Sequence, residues 1–512
     1  MRRFDDIVVG AGGAGAVLAA RLSEEGGRRV ALIEAGPHYG DTAATPADLL
    51  DGNAMSLVQH SWGLTAALTA RRRVPFPQGK VTGGSSAVGN TVAIRGTPAD
   101  YDEWAALGNP LWSWEQTLPT LTALEDDLDY GDREFHAAGG PIPIRRWRAH
   151  ELTPLQQAFL DGCTAAGHSY VADHNHPASS GVGAIPSTRR DASVRVSTAM
   201  AYLWPARDRS NLEIIPGCRV DRVLMRDQQA VGVVVDGEEL SARRVILAAG
   251  AIGSPALLWR SGVGPADELR RLGIGVHADL PGVGAGLIDQ PRIGVFLSPK
   301  PDAAGEGAPT GQIVLRTTSS SGSTSRFNDM YYAMVNRFDL THHFPKLREV
   351  AGARSVFGVM AVARRPHSRG RVFLESADPS TPPRIDLGYL TDERDYPLLA
   401  EAVRGCWDLA HSPKILDQGQ EVVLVEQKTL SDEELMRNYI DDAVDSAYNP
   451  VGTARMGPES DETAVVDQRC AVHGVGGLYV ADASVMPAMV CANTLLSVVM
   501  IAERAAGFLA CR

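Results

Sequence analysis

A glycine-rich turn between two apolar segments most strongly constrains how this chain can fold. The segment GAGGAG at 10–15 follows an apolar run at 4–9, precedes a helical pattern at 14–22, and is followed by a second apolar run, 30–33, that ends at Glu34. A strand, a glycine turn, a helix and a second strand form a βαβ unit, and parallel strands need helices on both faces of their sheet. The sequence therefore predicts an α/β fold that begins with a Rossmann-like unit.

The same turn predicts a dinucleotide site. Gly10 permits the tight turn, Gly12 lets a pyrophosphate reach the helix N-terminus, and Gly15 allows close helix–strand packing. Glu34 stands nineteen residues after Gly15 and would accept hydrogen bonds from the adenosine ribose, while its charge disfavours a 2′-phosphate. FAD and NAD share this fingerprint, so the turn alone does not choose between them.

Length and charge restrict the remaining classes of protein. The 512 residues suffice for several domains, and 44% of them are hydrophobic. The net charge of −12 argues against nucleic acid or an anionic membrane as a partner, and no apolar run reaches the ~18 residues of a membrane-spanning helix. The six cysteines have no CxxC spacing, so we expect neither a disulfide framework nor a metal site. Because the N-terminus also lacks a signal-peptide pattern, we expect a cytoplasmic enzyme.

Strand-like patterns recur far apart in the chain, which indicates a cofactor domain built from discontinuous segments. Buried-strand patterns at 244–249 and 477–481 resemble the first strand, whereas 293–375 mixes alternating strands with polar loops, and 391–445 is helical in pattern. The Gly, Ser and Thr content of 305–325 predicts a mobile surface loop there. The predicted boundaries are 1–150, 195–292 and 446–512 for the cofactor domain, and 151–194 and 293–445 for a β-rich substrate domain.

Several further segments resemble the glucose–methanol–choline (GMC) family of FAD-dependent oxidoreductases. They are GKVTGGSSAVGNTVAIRG from Gly79, GAIGSPALLWRSGVG from Gly250, YNPVGTARMG from Tyr448, GLYVADASVMP from Gly477 and ANT at 492–494. The first two are similar to the two signature patterns of the family, and the resemblance covers the chain from end to end. It implies a discontinuous Rossmann-like FAD-binding domain, a β-rich (α+β) substrate-binding domain, and FAD as the cofactor.

The matching positions imply a set of cofactor contacts. Small residues and strand ends would approach the pyrophosphate, ribityl and isoalloxazine groups, and Val220 would contact adenine. Val88 stands where some relatives attach the flavin to a histidine, so we expect noncovalent FAD that acid or heat releases. The expected contacts are Gly10, Gly12, Gly13, Ala14, Gly15, Glu34, Ala35, Gly83, Gly84, Ser85, Asn90, Val220, Ala249, Gly250, Asp482, Ala483, Asn493 and Thr494.

The chain departs from the family at the reaction centre. Relatives normally carry a histidine before Pro-Val-Gly-Thr, paired with a histidine or asparagine, whereas this sequence has Asn449 paired with Asn493. A base with a pKa near neutrality takes the hydroxyl proton while hydride passes to flavin N5, and contributes ~10²–10⁴-fold. Asparagine does not titrate near pH 7. The resemblance implies that these two asparagines are the catalytic residues of an alcohol oxidase or dehydrogenase, with a small or medium organic substrate and with O₂ or another electron acceptor.

Three hypotheses stay open for Asn449. In the first, the protein is a redox enzyme whose substrate is already acidic or uses another base, for which His342 is the better candidate among the remaining histidines. In the second, the flavin serves a lyase, an isomerase or a photodecarboxylase. In the third, the base has been lost and weak activity remains. A binding protein that FAD merely stabilises is a non-enzyme alternative, and the oligomeric state stays open.

Three other positions carry expectations of their own. Asn90 follows a glycine where relatives usually have the reverse order, and Gln290 replaces the histidine of a common Asp-His-Pro. The pair Arg364-Arg365 is predicted to mark a strand end, with charges that are solvated rather than substrate-binding.

Overall fold

The computed structural model describes residues 2–300, 307–321, 327–340 and 355–510. Its strands are β1 (Arg3–Val9), β2 (Val30–Glu34), β3 (Leu64–Ala67), β4 (Arg73–Phe76), β5 (Glu125–Asp127), β6 (Ile142–Ile144), β7 (Gly181–Ala184), β8 (Leu212–Pro216), β9 (Val220–Arg226), β10 (Gln229–Val235), β11 (Glu238–Leu247), β12 (Val263–Gly264), β13 (Ala278–Asp279), β14 (Ala285–Leu287), β15 (Pro291–Pro299), β16 (Ile313–Thr317), β17 (Met330–Asp339), β18 (Ser355–Ala363), β19 (Gly370–Phe373), β20 (Arg384–Asp386), β21 (Gly419–Val423), β22 (Asp445–Ser446) and β23 (Leu478–Val480). Its α-helices are α1 (Gly15–Leu22), α2 (Ala47–Leu50), α3 (Ser85–Val88), α4 (Pro98–Ala106), α5 (Trp114–Ala123), α6 (Pro154–Ala165), α7 (Trp204–Ala206), α8 (Gly250–Arg260), α9 (Ala266–Arg271), α10 (Asp395–Ala410), α11 (Pro413–Leu416), α12 (Gln427–Ser431), α13 (Glu433–Ala443) and α14 (Leu495–Ala510).

The glycine turn opens the first large sheet. β1 ends at Val9 and pairs in parallel with β2 on one side and β11 on the other. The sheet has seven strands in the order β8-β2-β1-β11-β10-β9, and β23 joins it by pairing in parallel with β11. Every residue of β2 is buried, as expected of a parallel strand covered on both faces. The predicted Rossmann-like α/β fold is confirmed. The four predicted strands shift at their ends by up to six residues, and β8, β9 and β10 were not predicted.

The second large sheet is antiparallel and supplies a separate apolar core. It has seven strands, with the order β21-β15-β18-β17-β16-β7 and with β22 pairing with β15. Side chains alternate along β18, so one face of the strand packs into the core and the other faces a cavity. The core-facing residues are Val359, Ala361 and Ala363, and the cavity-facing residues are Met360, Val362 and, one residue past the strand, Arg364.

The prediction of a mobile surface loop at 305–325 is wrong for the part of this stretch that forms a strand. β16 lies inside this stretch, and Ile313, Val314 and Leu315 are each at most 1% exposed. Gly, Ser and Thr dominate the flanking residues and therefore mask a short apolar strand in the composition. Residues 305–306 and 322–325 lie outside the described residues.

A third, five-stranded sheet connects distant parts of the chain. Its order is β14-β19-β20-β3-β4. β3 pairs in parallel with β20, and β19 pairs with β14 and β20. This sheet joins segments that the predicted boundaries assign to different domains.

Two long helices lie on different cores. α10 and α14 each span 16 residues, and α10 packs against β15 and β18 whereas α14 packs against α1. Both bury one apolar side, as helices at the surface of a core do. Within the described ranges, no helix is long and apolar enough to cross a membrane.

Candidate active site

The carboxyl ends of the parallel strands open onto a cavity of about 660 Å³. In open α/β sheets this edge is where ligands bind, because the helix N-termini and connecting loops converge there. Residues that follow β1, β2, β11 and β23 line one part of the cavity, and residues of β17 and β18 line another. The cavity therefore spans the space between the first and the second large sheets.

Most of the expected cofactor contacts line this cavity. They are Gly10, Gly12, Gly13, Ala14, Glu34, Ala35, Gly84, Ser85, Asn90, Val220, Ala249, Gly250, Asp482, Ala483, Asn493 and Thr494. Gly15 and Gly83 stand behind the wall. A Cβ on Gly15 would lie 1.7 Å from the carbonyl oxygen of Gly10, and the Gly83 N–H donates to the carbonyl of Ala11 at 2.7 Å. These two glycines therefore shape the wall through close backbone approach.

The wall leaves room for a pyrophosphate at two glycines. A Cβ built on Gly12 would meet only the Cα of Gly84, 3.9 Å away, and one built on Gly250 would meet nothing within 4 Å. These open positions adjoin the starts of α1 and α8, where unpaired backbone N–H groups favour an anionic ligand. The residues present therefore fit a dinucleotide.

Glu34 supports the glycine turn from the end of β2. Its Oε2 accepts the N–H of Ala11 at 2.9 Å, and its Oε1 accepts the N–H of Gly36 at 2.7 Å. Burial raises the pKa of Glu34, and these two backbone donors act in the opposite direction. Each carboxylate oxygen keeps a further lone pair, so the side chain can hold the turn and still accept from a ribose hydroxyl.

Replacing Glu34 with alanine should weaken FAD retention and also lower the free energy of unfolding without FAD. Two buried N–H groups would lose their acceptor, which costs about 1–3 kcal/mol for each group left unsatisfied. FAD affinity, measured by flavin fluorescence, and thermal unfolding of the apoprotein test this. Glu34→Gln keeps one amide oxygen and should lose less of both. Unchanged FAD affinity in Glu34→Ala would show that the carboxylate does not reach the cofactor.

Asp482 ties two walls of the cavity together. Its Oδ2 accepts the N–H of Gly250 at 2.8 Å and the hydroxyl of Ser254 at 2.5 Å. Its Oδ1 accepts the N–H of Ser484 at 2.8 Å and the hydroxyl of the same residue. Asp482 is 2% exposed, and burial raises its pKa. Because both oxygens are engaged, this side chain fixes the end of β23 against α8 and so positions Ala483.

Asn449 and Asn493 belong to one hydrogen-bonded network. The Nδ2 of Asn449 donates to Gln290 Oε1 at 2.9 Å, and Arg364 Nη1 donates to the same oxygen at 2.8 Å. Arg364 Nη2 in turn donates to Asn493 Oδ1 at 3.2 Å. The structure therefore joins the two expected catalytic residues through Gln290 and Arg364.

The orientation of the Gln290 amide fixes that of its neighbours. Its Nε2 faces the carbonyls of Arg364, Val490 and Ala492 at 3.3, 3.1 and 3.1 Å, and carbonyl oxygens can only accept. Oε1 must then be the atom that accepts from Asn449. Gln290 is fully buried and anchored on three backbone groups, so it is a rigid support for the network.

The two asparagines consequently present complementary groups to the cavity. Asn449 Oδ1 has only a long contact with Thr494 Oγ1, at 3.5 Å, and remains an available acceptor. Asn493 Nδ2 has no hydrogen-bond partner in the described part of the chain and remains an available donor. Among the described residues no histidine lines the cavity, and burial raises the pKa of Tyr331. His342 lies outside the described residues.

The expectation that Arg364 and Arg365 are solvated is wrong. Arg364 is 2% exposed, and the side chain of Arg365, which is 10% exposed, forms ion pairs with Asp100 and Glu103. Both follow β18, whose end lies between the two large sheets rather than at the surface. Sequence reasoning missed Arg364 as a site residue. The available signal was that Met360, Val362 and Arg364 follow one another at intervals of two, which places them on one strand face.

Outside the cavity, Glu125, Asp127 and His136 place possible metal-ligand atoms within 4.8 Å of one another. Burial acts against protonation, but hydrogen bonds to Asp127, Asp173 and Glu125 raise the pKa of His136 to about 10. A protonated imidazole donates from both nitrogens, and Arg146 pairs with Asp127 at 2.7 Å. These contacts make the group a buried ion-pair network.

The Rossmann-like sheet, the glycine turn and the cavity define a dinucleotide-binding α/β protein, and comparison with known proteins gives the family. The GMC oxidoreductase family model matches residues 4–292 with its N-terminal part and 366–502 with its C-terminal part. The chain belongs to this family and is an FAD-dependent oxidoreductase.

Similar proteins extend over the whole chain. It is 35% identical over 531 residues to a 5-(hydroxymethyl)furfural oxidase of Methylovorus sp. (strain MP688), covering 98% of both chains. It is 32% identical over 528 residues to an oxygen-dependent choline dehydrogenase of Photobacterium profundum, covering 98% of this chain and 92% of the relative. The crystal structure of pyridoxine 4-oxidase from Mesorbium loti is similar with a TM-score of 0.89 and 29% identity, covering 99% of each chain.

Proposed function

We propose that this oxidoreductase removes a hydride from the CH–OH carbon of a small or medium organic alcohol and leaves a carbonyl product. Bound FAD supplies the hydride acceptor, and O₂ or another acceptor takes the electrons afterwards. The observation that carries the proposal is the hydrogen-bonded network that joins Asn449 to Asn493 at the cavity wall. It leaves an acceptor on Asn449 and a donor on Asn493 for a ligand. The similarity to a 5-(hydroxymethyl)furfural oxidase and to a choline dehydrogenase supports it.

In this proposal the two asparagines orient the alcohol. Asn449 Oδ1 accepts the hydroxyl proton in a hydrogen bond, and Asn493 Nδ2 donates to the hydroxyl oxygen. This holds the carbinol carbon in one position, and such positioning contributes to rate without any proton transfer to the protein. Because the described lining residues include no imidazole, the hydroxyl proton leaves to water, and oxidation of simple alcohols is slow.

The proposal also includes the expected positions of the cofactor and of the substrate. The glycine turn, Glu34 and the end of β23 would hold FAD, and would hold it noncovalently because Val88 offers no attachment atom. The substrate lies against the second large sheet. The predicted domain boundaries and a cytoplasmic location belong to this proposal as well.

Anaerobic mixing of the yellow protein with a panel of alcohols tests the function. We expect slow bleaching of the flavin absorbance, with one carbonyl product formed for each flavin reduced. The rate should rise steadily with pH, without a break in the imidazole range, because the described residues that line the cavity include no imidazole to take the proton. Product formation that leaves the flavin oxidised under every condition, or that requires light, would contradict hydride transfer and favour a non-redox reaction.

A further inference from the structure

Arg364 places a positive charge in the cavity without a carboxylate partner. The described residues include no acidic group within ion-pair distance of its guanidinium. It donates to the neutral amides of Gln290 and Asn493, and the ring of Tyr331 lies 4.2 Å below it. Burial lowers the pKa of Arg364 to about 10, so it remains charged near neutral pH. An unpaired buried charge is costly unless a partner is supplied.

Unused hydrogen-bond donors distinguish Arg364 from three other arginines that are buried, Arg189, Arg195 and Arg292. A guanidinium has five N–H groups, and only two of those of Arg364 donate within the described part of the chain. Arg195 instead donates to five backbone carbonyls, and Arg292 pairs with Asp445 through two nitrogens. Arg189, which also lines the cavity, donates to four oxygens. Arg364 alone among these four keeps most of its donors for a ligand.

The surroundings of Arg364 are apolar on the side of the substrate. Tyr331, Ala333, Met360 and Val362 line the cavity on the same sheet face. A ligand there would have an apolar body, and its charged end would meet the guanidinium. Arg364 also contacts Asn493 directly, so that charged end would lie close to the reacting carbon.

We propose that Arg364 binds a carboxylate of the substrate, and that the substrate class is hydroxy acids with an apolar body. A carboxylate offers two oxygens to the planar fork of a guanidinium, which matches the unused donors. That the substrate is a hydroxy acid rests on the proposed alcohol oxidation. The binding of a carboxylate by Arg364 does not depend on hydride transfer.

Ligand binding to the oxidised holoenzyme in the dark tests this without turnover. The probes are benzoate and hexanoate, with benzamide and hexanamide as neutral isosteres, and the measurements are calorimetry and the perturbation of the flavin spectrum. We expect the carboxylates to bind at least ~10-fold more tightly than their amides. Equal affinity of acids and amides would overturn the proposal. A preference for carboxylates that appears only after dithionite reduces the FAD would also overturn it, because the charge of Arg364 would then serve the cofactor rather than the substrate.

Variants of Arg364 test whether this residue causes the preference for carboxylates over amides. Arg364→Met should abolish it, whereas Arg364→Lys should keep part of it because the charge remains but the bidentate fork is lost. Tyr331→Phe, the matched control, keeps the ring beneath Arg364 and should keep the full preference. Arg364→Met should not unfold the protein, since it removes a buried charge without a carboxylate partner, which is costly to bury, and puts an apolar side chain in its place. If Arg364→Met folds and the preference persists, another group binds the carboxylate and the proposal is wrong.

A reduction assay separates this inference from the proposed function. Hydroxy acids and their methyl esters are mixed anaerobically with the holoenzyme, and bleaching by the acids in preference to the esters supports the substrate class. If neutral alcohols bleach the flavin and no hydroxy acid does, the substrate class is wrong. If carboxylates bind and no alcohol of either kind bleaches the flavin, the hydride-transfer proposal fails and the role of Arg364 in binding stands.

Discussion

Replacing Asn449 with histidine should raise the rate of flavin reduction by an alcohol by up to ~10²-fold, the scale of general base catalysis. The backbone at this position is already fixed, because the Asn449 N–H donates to Asp289 Oδ1 at 2.7 Å. Gln290 Oε1 accepts from the Asn449 side chain and would accept an imidazole N–H in the same way. The other imidazole nitrogen would then be free to take the hydroxyl proton.

The pH profile of the Asn449→His variant provides the diagnostic measurement. Only neutral imidazole accepts a proton, so the rate of flavin reduction should rise with pH through one apparent pKa and then become constant. Because Arg364 is positively charged and nearby, that pKa should lie below the ordinary histidine value of ~6.5. Asn449→Gln is the matched control. Its rate of flavin reduction should stay slow, and its pH profile should show no break. A variant that binds FAD normally yet slows a robust native oxidation would show that the asparagine itself is the adapted catalytic group.

The second large effect is expected at Gly15. A Cβ there would lie 1.7 Å from the carbonyl oxygen of Gly10 and 2.9 Å from its carbon, so backbone rather than a flexible side chain must move. Gly15→Ala should therefore push α1 away from β1, lower the free energy of unfolding by about 3 kcal/mol or more, and empty the protein of FAD. Denaturant unfolding and flavin content after purification measure both effects.

Gly507→Ala is the control for that substitution. Gly507 lies inside α14, and a Cβ there meets nothing within 4 Å. The same chemical change should then stabilise the protein by about 0.5–1 kcal/mol, because glycine is unfavourable in a helix interior. If both variants unfold alike, the close approach at Gly15 does not determine stability.

The first unit of the fold could be predicted from the sequence because its determinants are local. The glycine turn, the helix after it and Glu34 lie within thirty residues of one another, and their chemistry requires a single backbone path. Asn449 and Asn493 were also predicted as a pair, but only through resemblance to the family. Nothing in their own surroundings in the sequence shows that they share a network.

The network itself depends on strand register, which composition does not reveal. β15 and β18 are antiparallel, with Arg292 opposite Val362, and continuing that register brings Gln290 opposite Arg364. From the sequence, Gln290 was noted only as unusual and Arg364 was predicted to be a solvated charge. Their hydrogen bond could not be predicted, because it joins residues 74 positions apart. β16 was missed for a related reason, since a buried strand of five residues needs its partners before its sequence becomes distinctive.

The pairing of β23 with β11 affects when the protein can become a holoenzyme during its synthesis. β11 has β1 on one side and β23 on the other, and the Asp482 that follows β23 fixes the start of α8. Residues 478–480 are therefore needed to finish a sheet whose first strand is at 3–9. A ribosome still translating the substrate domain holds a chain whose cofactor site is incomplete. Loading with FAD must accordingly follow translation of this region, and a nascent chain stalled before it should remain colourless.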